Sequence, residues 1–378
     1  MKKKHSVFLL FLFSYISIYG QAFSTEGWWS PETQKYSPVV TTDRHITFRT
    51  PAQNAKEVKL VFGEWDVEPV SMHKNVNGDW EATIGPVNPG VYEYKFEIDG
   101  LKVLDYKNPI VKTGTEVYGS MVEVCAEIPR FDQYVRAGSE VDVISYISTP
   151  LSRRRKVYVY IPAVYYENPQ MRLPVLYLRH GGGDDESSWV RSASADAIMD
   201  NLIAEGKAEP MIVVMTNGLT DGSWAGGSNV EGMTALEEEL LKDVIPLVEK
   251  RYRVRTDRKW RAIAGLSMGG GQAFVMGMRH LELFSAIGEF SSGLLSDSSW
   301  DYAKYGVTSI DDAAKVNSML SLLWVSCGTK DSRWEGHKQF CQLLSRKGIN
   351  YVFHHSEHGH EWQFWREQLR DFASSIFH

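Results

Sequence analysis

Arg261-Ala262-Ile263-Ala264-Gly265-Leu266-Ser267-Met268-Gly269-Gly270-Gly271 is the stretch on which the reading of this chain turns. An apolar run from Trp260 to Ala264 enters Gly-x-Ser-x-Gly, and helix formers follow. The pattern predicts a strand, a sharp turn and a helix. On such a turn the serine sits in strained backbone with its hydroxyl exposed, and the flanking glycines let strand and helix pass close together. Short Gly/Ser strings recur by chance, so the surroundings decide. Upstream lies His180-Gly181-Gly182-Gly183; downstream lie Asp331 and His360.

From Val141 onward, apolar strands alternate with helical patterns. Strands are expected at Val157 to Ile161, Val175 to Leu178, Ile212 to Met215, Arg261 to Ala264, Ala286 to Phe290, Leu322 to Cys327 and Tyr351 to His354. Helices are expected at Ala195 to Glu205, Ala235 to Tyr252, Gly270 to Arg279, Gly336 to Lys347 and Glu361 to Phe377. Short, almost continuously apolar strands separated by helices imply a mostly parallel sheet covered on both faces. Such sheets bind ligands beyond the carboxyl ends of their strands. Ser267, Asp331, His360 and the glycine turn all follow expected strands at that end. Their chain order, Ser then Asp then His, is the one expected of an α/β-hydrolase. Trp362 and Trp365 share helical spacing with Leu369, Phe372 and Ile376, which reads as a helix face packed on the sheet.

Ahead of this region the period changes. Tyr92, Tyr94, Phe96 and Ile98 alternate with Glu93, Lys95 and Glu97, the pattern of a half-buried strand. Asp99-Gly100 supplies a hairpin turn into Leu101 to Leu104, and Asn77-Gly78 precedes Trp80 to Ile84. With His45 to Arg49 and Val58 to Phe62 these make a small all-β, immunoglobulin-like sandwich. The expected division is a signal peptide over 1–22, the sandwich over 23–124, a linker over 125–140 and the hydrolase region over 141–378. Lys2-Lys3-Lys4 followed by the apolar Val7 to Tyr19, with small residues at Gly20 and Ala22, carries the signal-peptide reading. It implies export to the periplasm or beyond, with no stable membrane span after cleavage.

The 378 residues are 43% apolar with a formal net charge of -6. No basic patch stands out, so nucleic acid is not an expected partner. Cys125, Cys327 and Cys341 cannot all pair within one molecule and are too few and scattered for a structural zinc site. No metal or other cofactor is expected, and the composition leaves the oligomeric state open.

A serine hydroxyl needs a base within hydrogen-bond reach and a third group to orient that base. Ser267 is the candidate nucleophile, His360 the base and Asp331 the orienting acid. Ser267 could instead be a helix N-cap, Asp331 a turn residue, and His358 is the next candidate base. The tetrahedral oxyanion needs preorganised donors. The backbone N–H of Met268 is one candidate, and Gly182 or Gly183 supplies the other. Trp224, in the Gly/Ser/Asn-rich loop from Asn217 to Asn229, could stack on a sugar or an aromatic acid. Trp189 could line the cleft. Glu237-Glu238-Glu239 reads as a solvated face near a helix start.

The segment from about Val141 to Phe377 resembles carbohydrate esterase family 1, the feruloyl and acetyl-xylan esterases, and the broader esterase-D-like hydrolases. The resemblance rests on Leu173-Pro174-Val175-Leu176-Tyr177 with His180-Gly181-Gly182-Gly183, on Asp243-Val244-Ile245-Pro246, on the serine stretch, and on Gly359-His360-Glu361-Trp362 with Trp365-Arg366. The preceding region resembles the early-set sandwich akin to family 48 carbohydrate-binding modules, through Phe62-Gly63-Glu64-Trp65, Gly78-Asp79-Trp80, Pro89-Gly90-Val91-Tyr92-Glu93-Tyr94 and Asp99-Gly100 with Asp105 to Pro109. Trp65 and Trp80 read as sandwich core. Arg179 stands where the family carries an apolar residue before the glycine turn, and is expected to set charge near the cleft. The resemblance implies an exported serine esterase that removes feruloyl groups from an acylated plant polysaccharide such as arabinoxylan. Acetyl-xylan esterase, siderophore trilactone esterase and a glycan-binding protein with a decayed site are the alternatives.

Overall fold

The computed structural model describes residues 36, 38–63, 67–134 and 138–378. The signal-peptide segment 1–22 and Trp65 lie outside the described residues.

The carboxyl-terminal region is built on one eight-stranded sheet. In chain order its strands are β1 Glu140–Ser148, β2 Arg153–Ile161, β3 Val175–Arg179, β4 Ile212–Thr216, β5 Arg261–Leu266, β6 Ala286–Phe290, β7 Leu322–Ser326 and β8 Val352–His354. The spatial order is β1-β2-β4-β3-β5-β6-β7-β8. β2 runs antiparallel to both β1 and β4, and all remaining pairs are parallel. β3 to β6 are buried along their whole length, because helices cover both faces. One face carries the core around Val159, Val214, Ile263, Phe274 and Phe284. The other carries Leu176, Leu178, Ala264, Phe290 and the apolar side of the last helix, Trp362–Ala373. Trp362, Trp365, Leu369 and Phe372 are all buried there, as their spacing required.

Two antiparallel sheets precede it. One contains Ile46–Thr50 and Trp80–Ile84; the other contains Val58–Phe62, Gly90–Ile98 and Gly119–Val124. Ile46 and Phe48 of the first sheet share a core with Leu60, Tyr94, Phe96 and Val122 of the second. Trp80 belongs to that core, its indole N–H donating to the Ala52 carbonyl at 2.8 Å. Asp99 and Gly100 both adopt positive φ and join Ile98 directly to its partner Leu101.

The stretch expected to link the two regions is docked rather than loose. Asn201 donates to the carbonyls of Phe131 and Gln133, and the Tyr134 hydroxyl donates to Asp196 at 2.7 Å. Asp132 lies 3.8 Å from Arg366, which is 1% exposed and also donates to the Val91 and Ser192 carbonyls. Arg366 therefore ties the sandwich to the last helix.

The helix expected from Ala235 begins at Val230, because the Asn229 side chain accepts from the Gly232 N–H at 2.7 Å and caps it. Glu237 to Glu239 consequently sit near the end of that helical segment, not its start. Only Glu238 faces solvent. Glu239 is buried against Arg155, and Glu237 binds Arg279 and His280. No helix among the described residues is long and apolar enough to cross a membrane.

Candidate active site

Ser267 joins β5 to the helix Met268–Arg279 with φ 50 and ψ -116, a conformation costly for any side-chain-bearing residue. Its N–H donates to the Phe290 carbonyl at 2.7 Å, which anchors the turn to β6. The flanking glycines are steric necessities. A Cβ on Gly265 would collide with the Gly269 carbonyl, and one on Gly269 with the His180 carbonyl.

His360 follows β8 and precedes the last helix. Its Nε2 lies 3.0 Å from Ser267 Oγ, and its Nδ1 lies 2.6 Å from Asp331 Oδ2. Three side chains from separate loops thus form one hydrogen-bonded chain at the carboxyl edge of the sheet. Burial opposes the charge on Asp331, yet the His360 contact and the Arg333 N–H hold its carboxyl below the usual range. Burial also lowers the pKa of His360; Asp331 pulls the other way, and the Arg333 charge adds to the lowering. A neutral imidazole at neutral pH follows, with Nδ1–H on Asp331 and the Nε2 lone pair on the serine hydroxyl. His358 does not compete: it binds Glu361 at 3.1 Å and lies 3.4 Å from Glu367, which raise its pKa to about 9.

The glycine turn approaches from β3. Ser267, Gly181 and Gly182 line one cavity of about 210 Å³. The Met268 N–H opens the helix and the Gly182 N–H lies in the turn; neither has a hydrogen-bond partner among the described residues. Gly183 is a correction: its N–H donates to the Trp224 carbonyl at 2.7 Å, so it shapes the turn instead of offering a donor. The fully buried His180, which sequence reasoning left without a role, braces the same turn. Its Nδ1 bonds the Gly181 carbonyl, and its Nε2 accepts from the Gly218 N–H at 2.8 Å. Burial lowers its pKa to about 4, which keeps that acceptor lone pair available.

Trp224 is 44% exposed and its ring lies across Gly182 and Gly183. Trp189 and Arg179 are the other corrections. Trp189 is 1% exposed; its indole donates to the Arg179 carbonyl and packs edge-on against Phe290 and Trp362. Arg179 is 2% exposed and donates to Gln272 at 2.7 Å beneath the turn. Both are held inside the protein, away from the cleft.

Residues missed by sequence reasoning come from the sandwich. Glu93, Lys95, Lys112 and Tyr118 line the cavity that holds Ser267. A wider trough of about 790 Å³ adjoins it, lined by Phe62, Tyr92, Trp224, Arg333, His360 and Gln363 among others. The alternation of Glu93 and Lys95 with Tyr92 and Tyr94 was the available signal. It marks a face turned from the sandwich core, and the hydrolase region covers that face instead of water.

Residues 148–374 match the Esterase family. The chain belongs to that family. It is 31% identical over 352 residues to an endo-1,4-beta-xylanase/feruloyl esterase of Xylanibacter ruminicola, covering 91% of this chain and 46% of the relative. It spans only 11% of endo-1,4-beta-xylanase Y of Acetivibrio thermocellus, with 29% identity over 133 residues. The chain thus spans less than half of each of these curated relatives. Among solved structures, a ferulic acid esterase is 28% identical with a TM-score of 0.57, covering 63% of this chain and 98% of its own. The enterobactin esterase of Shigella flexneri shares the fold over 87% of this chain and 92% of its own, with a TM-score of 0.61 at 16% identity.

Proposed function

We propose that this chain is an exported serine esterase that hydrolyses hydroxycinnamoyl esters on plant hemicellulose such as arabinoxylan. The observation that carries the reading is the unbroken hydrogen-bonded line from Asp331 through His360 to Ser267. The likeness to proteins named as feruloyl esterases supports the acyl group.

Ser267 Oγ attacks the ester carbonyl as His360 Nε2 takes its proton. Asp331 holds the imidazole in the tautomer with Nδ1–H and stabilises the imidazolium that forms. The backbone N–H groups of Met268 and Gly182 meet the developing oxyanion, each worth about 2.7–4 kcal/mol of barrier. Collapse breaks the bond from the acyl carbon to the sugar oxygen, and that oxygen takes the proton from His360 and leaves as a hydroxyl. Water then repeats the cycle on the acyl-enzyme. The open trough leaves room for a polysaccharide chain beside the smaller cavity.

The test offers methyl ferulate, an aryl acetate and a siderophore trilactone side by side to the protein and to Ser267→Ala. Preferential turnover of the ferulate is expected. Ser267→Ala should lose turnover by about 10⁶-fold. A large preference for the acetate or the trilactone replaces the substrate assignment, and retained activity in Ser267→Ala removes the nucleophile.

A further inference from the structure

A cluster of ion pairs lines the cavity that Ser267 also lines. Glu93 is 6% exposed, Asp184 is 5% exposed, and the Lys112 ammonium lies between them, 3.6 Å from Glu93 Oε2 and 3.8 Å from Asp184 Oδ1. Lys95 is 3.3 Å from Glu93 and donates to the Tyr118 carbonyl at 2.8 Å. All five residues line the same 210 Å³ cavity as Ser267, Gly182 and His360, and Trp224, Trp362 and Trp365 supply aromatic wall.

We propose that this cavity is the acyl pocket and that the Lys112, Glu93 and Asp184 cluster recognises a phenolic hydroxyl on an aromatic acyl group. The inference rests on the esterase reading and adds its specificity determinant. Withdrawing charges from water is costly, and apolar residues of similar volume would serve stability as well or better. On this proposal the charged cluster is kept for what it binds as well as for its mutual pairing. A phenol is both a donor and an acceptor. Carboxylates of Glu93 and Asp184 can take its proton-bearing side, and the Lys112 ammonium can donate to its oxygen. An acetyl group offers neither contact and leaves the aromatic wall empty.

The position of this wall is fixed against the catalytic turn. The Thr115 N–H donates to the Gly183 carbonyl at 2.8 Å, and the Thr113 hydroxyl donates to Asp185 at 2.8 Å. Gly114 sits so near the Gly183 carbonyl that a Cβ would not fit. The segment carrying Lys112 and Tyr118 is bonded to the turn that carries Gly182.

The decisive comparison is kcat/KM for methyl 4-hydroxy-3-methoxycinnamate against methyl 3,4-dimethoxycinnamate and methyl cinnamate. The unaltered protein should prefer the free phenol by about tenfold or more, the worth of a hydrogen bond to a charged group. Lys112→Met should erode that preference, read as the ratio between esters. Equal kcat/KM on the phenol and its methyl ether in the unaltered protein overturns the proposal, whether or not the variant folds. So does an undiminished ratio in a folded Lys112→Met. No turnover of any ester, aryl acetate included, sinks the esterase reading and this inference with it.

Discussion

Two histidine–carboxylate pairs flank Arg333 and behave in opposite ways. His360 with Asp331 sits at the mouth of the cleft, and its second nitrogen meets a serine hydroxyl. His337 with Glu289 is sealed beneath it, both side chains at 0% exposure, with Nε2 2.9 Å from Glu289 and Nδ1 2.9 Å from the Arg333 carbonyl. Burial opposes charge in both imidazoles. At His337 the Glu289 charge and the neighbouring Cys327 overcome it and push the pKa up to about 11. At His360 burial prevails, aided by the Arg333 charge and more weakly by His337, against Asp331. Arg333 belongs to both pairs: its carbonyl receives His337, while its N–H and guanidinium face Asp331. The lesson is that a carboxylate partner does not decide an imidazole's charge. The cations and burial around the pair decide whether it works as a base or as a rivet.

The comparison breaks most sharply at the two carboxylates. Asp331→Asn should lower kcat by about 10⁴-fold, since the amide favours the wrong imidazole tautomer. Its melting temperature should move little. A small kinetic effect would remove Asp331 from the mechanism.

Glu289→Gln should do the reverse. Removing one member of a buried pair strands the other charge and costs about 3–5 kcal/mol, read by denaturant unfolding. The pair also sets a pH trend. His337 binds its proton more tightly folded than unfolded, so its stabilising effect is full below the unfolded value of about 6.5 and fades as pH rises towards 11. Stability of the unaltered protein should decline across that window, and Glu289→Gln should flatten the decline. An unchanged slope would mean that the pair carries no net charge.

The smallest effect is expected at Arg333. Replacing it by Met removes a cation facing His360 and lets the imidazole hold its proton to higher pH. The acid limb of kcat/KM should move upward while the plateau rate stays within an order of magnitude. A limb that stays fixed would give the lowering to burial alone.

The hydrolase half was legible because its signals are local. An apolar strand followed by Gly265-Leu266-Ser267-Met268-Gly269 needs no distant partner to be read, and its strained turn is present as expected. β1 was missing from the expected strands because an exposed edge strand mixes charged and polar residues among its apolar ones and breaks the apolar run. Trp189 and Arg179 were misjudged for a common reason. Position beside a glycine turn gives proximity along the chain but not direction, and both side chains turn inward, where an indole N–H and a guanidinium find buried oxygens. Glu93 and Lys95 were legible only as a face turned from the sandwich core, because alternation cannot say what covers that face, and Lys112 lies outside the alternating strand.

Gly114 and Gly183 meet backbone to backbone, one from each half of the molecule. Recombination that exchanged the leading half for a foreign fold would have to deliver another residue without a side chain at that spot. Otherwise the neighbouring Gly182 amide would swing out of line, and the chimera would keep its nucleophile yet lose rate. Inheritance of the two halves as a single block is the expected outcome of that one steric demand.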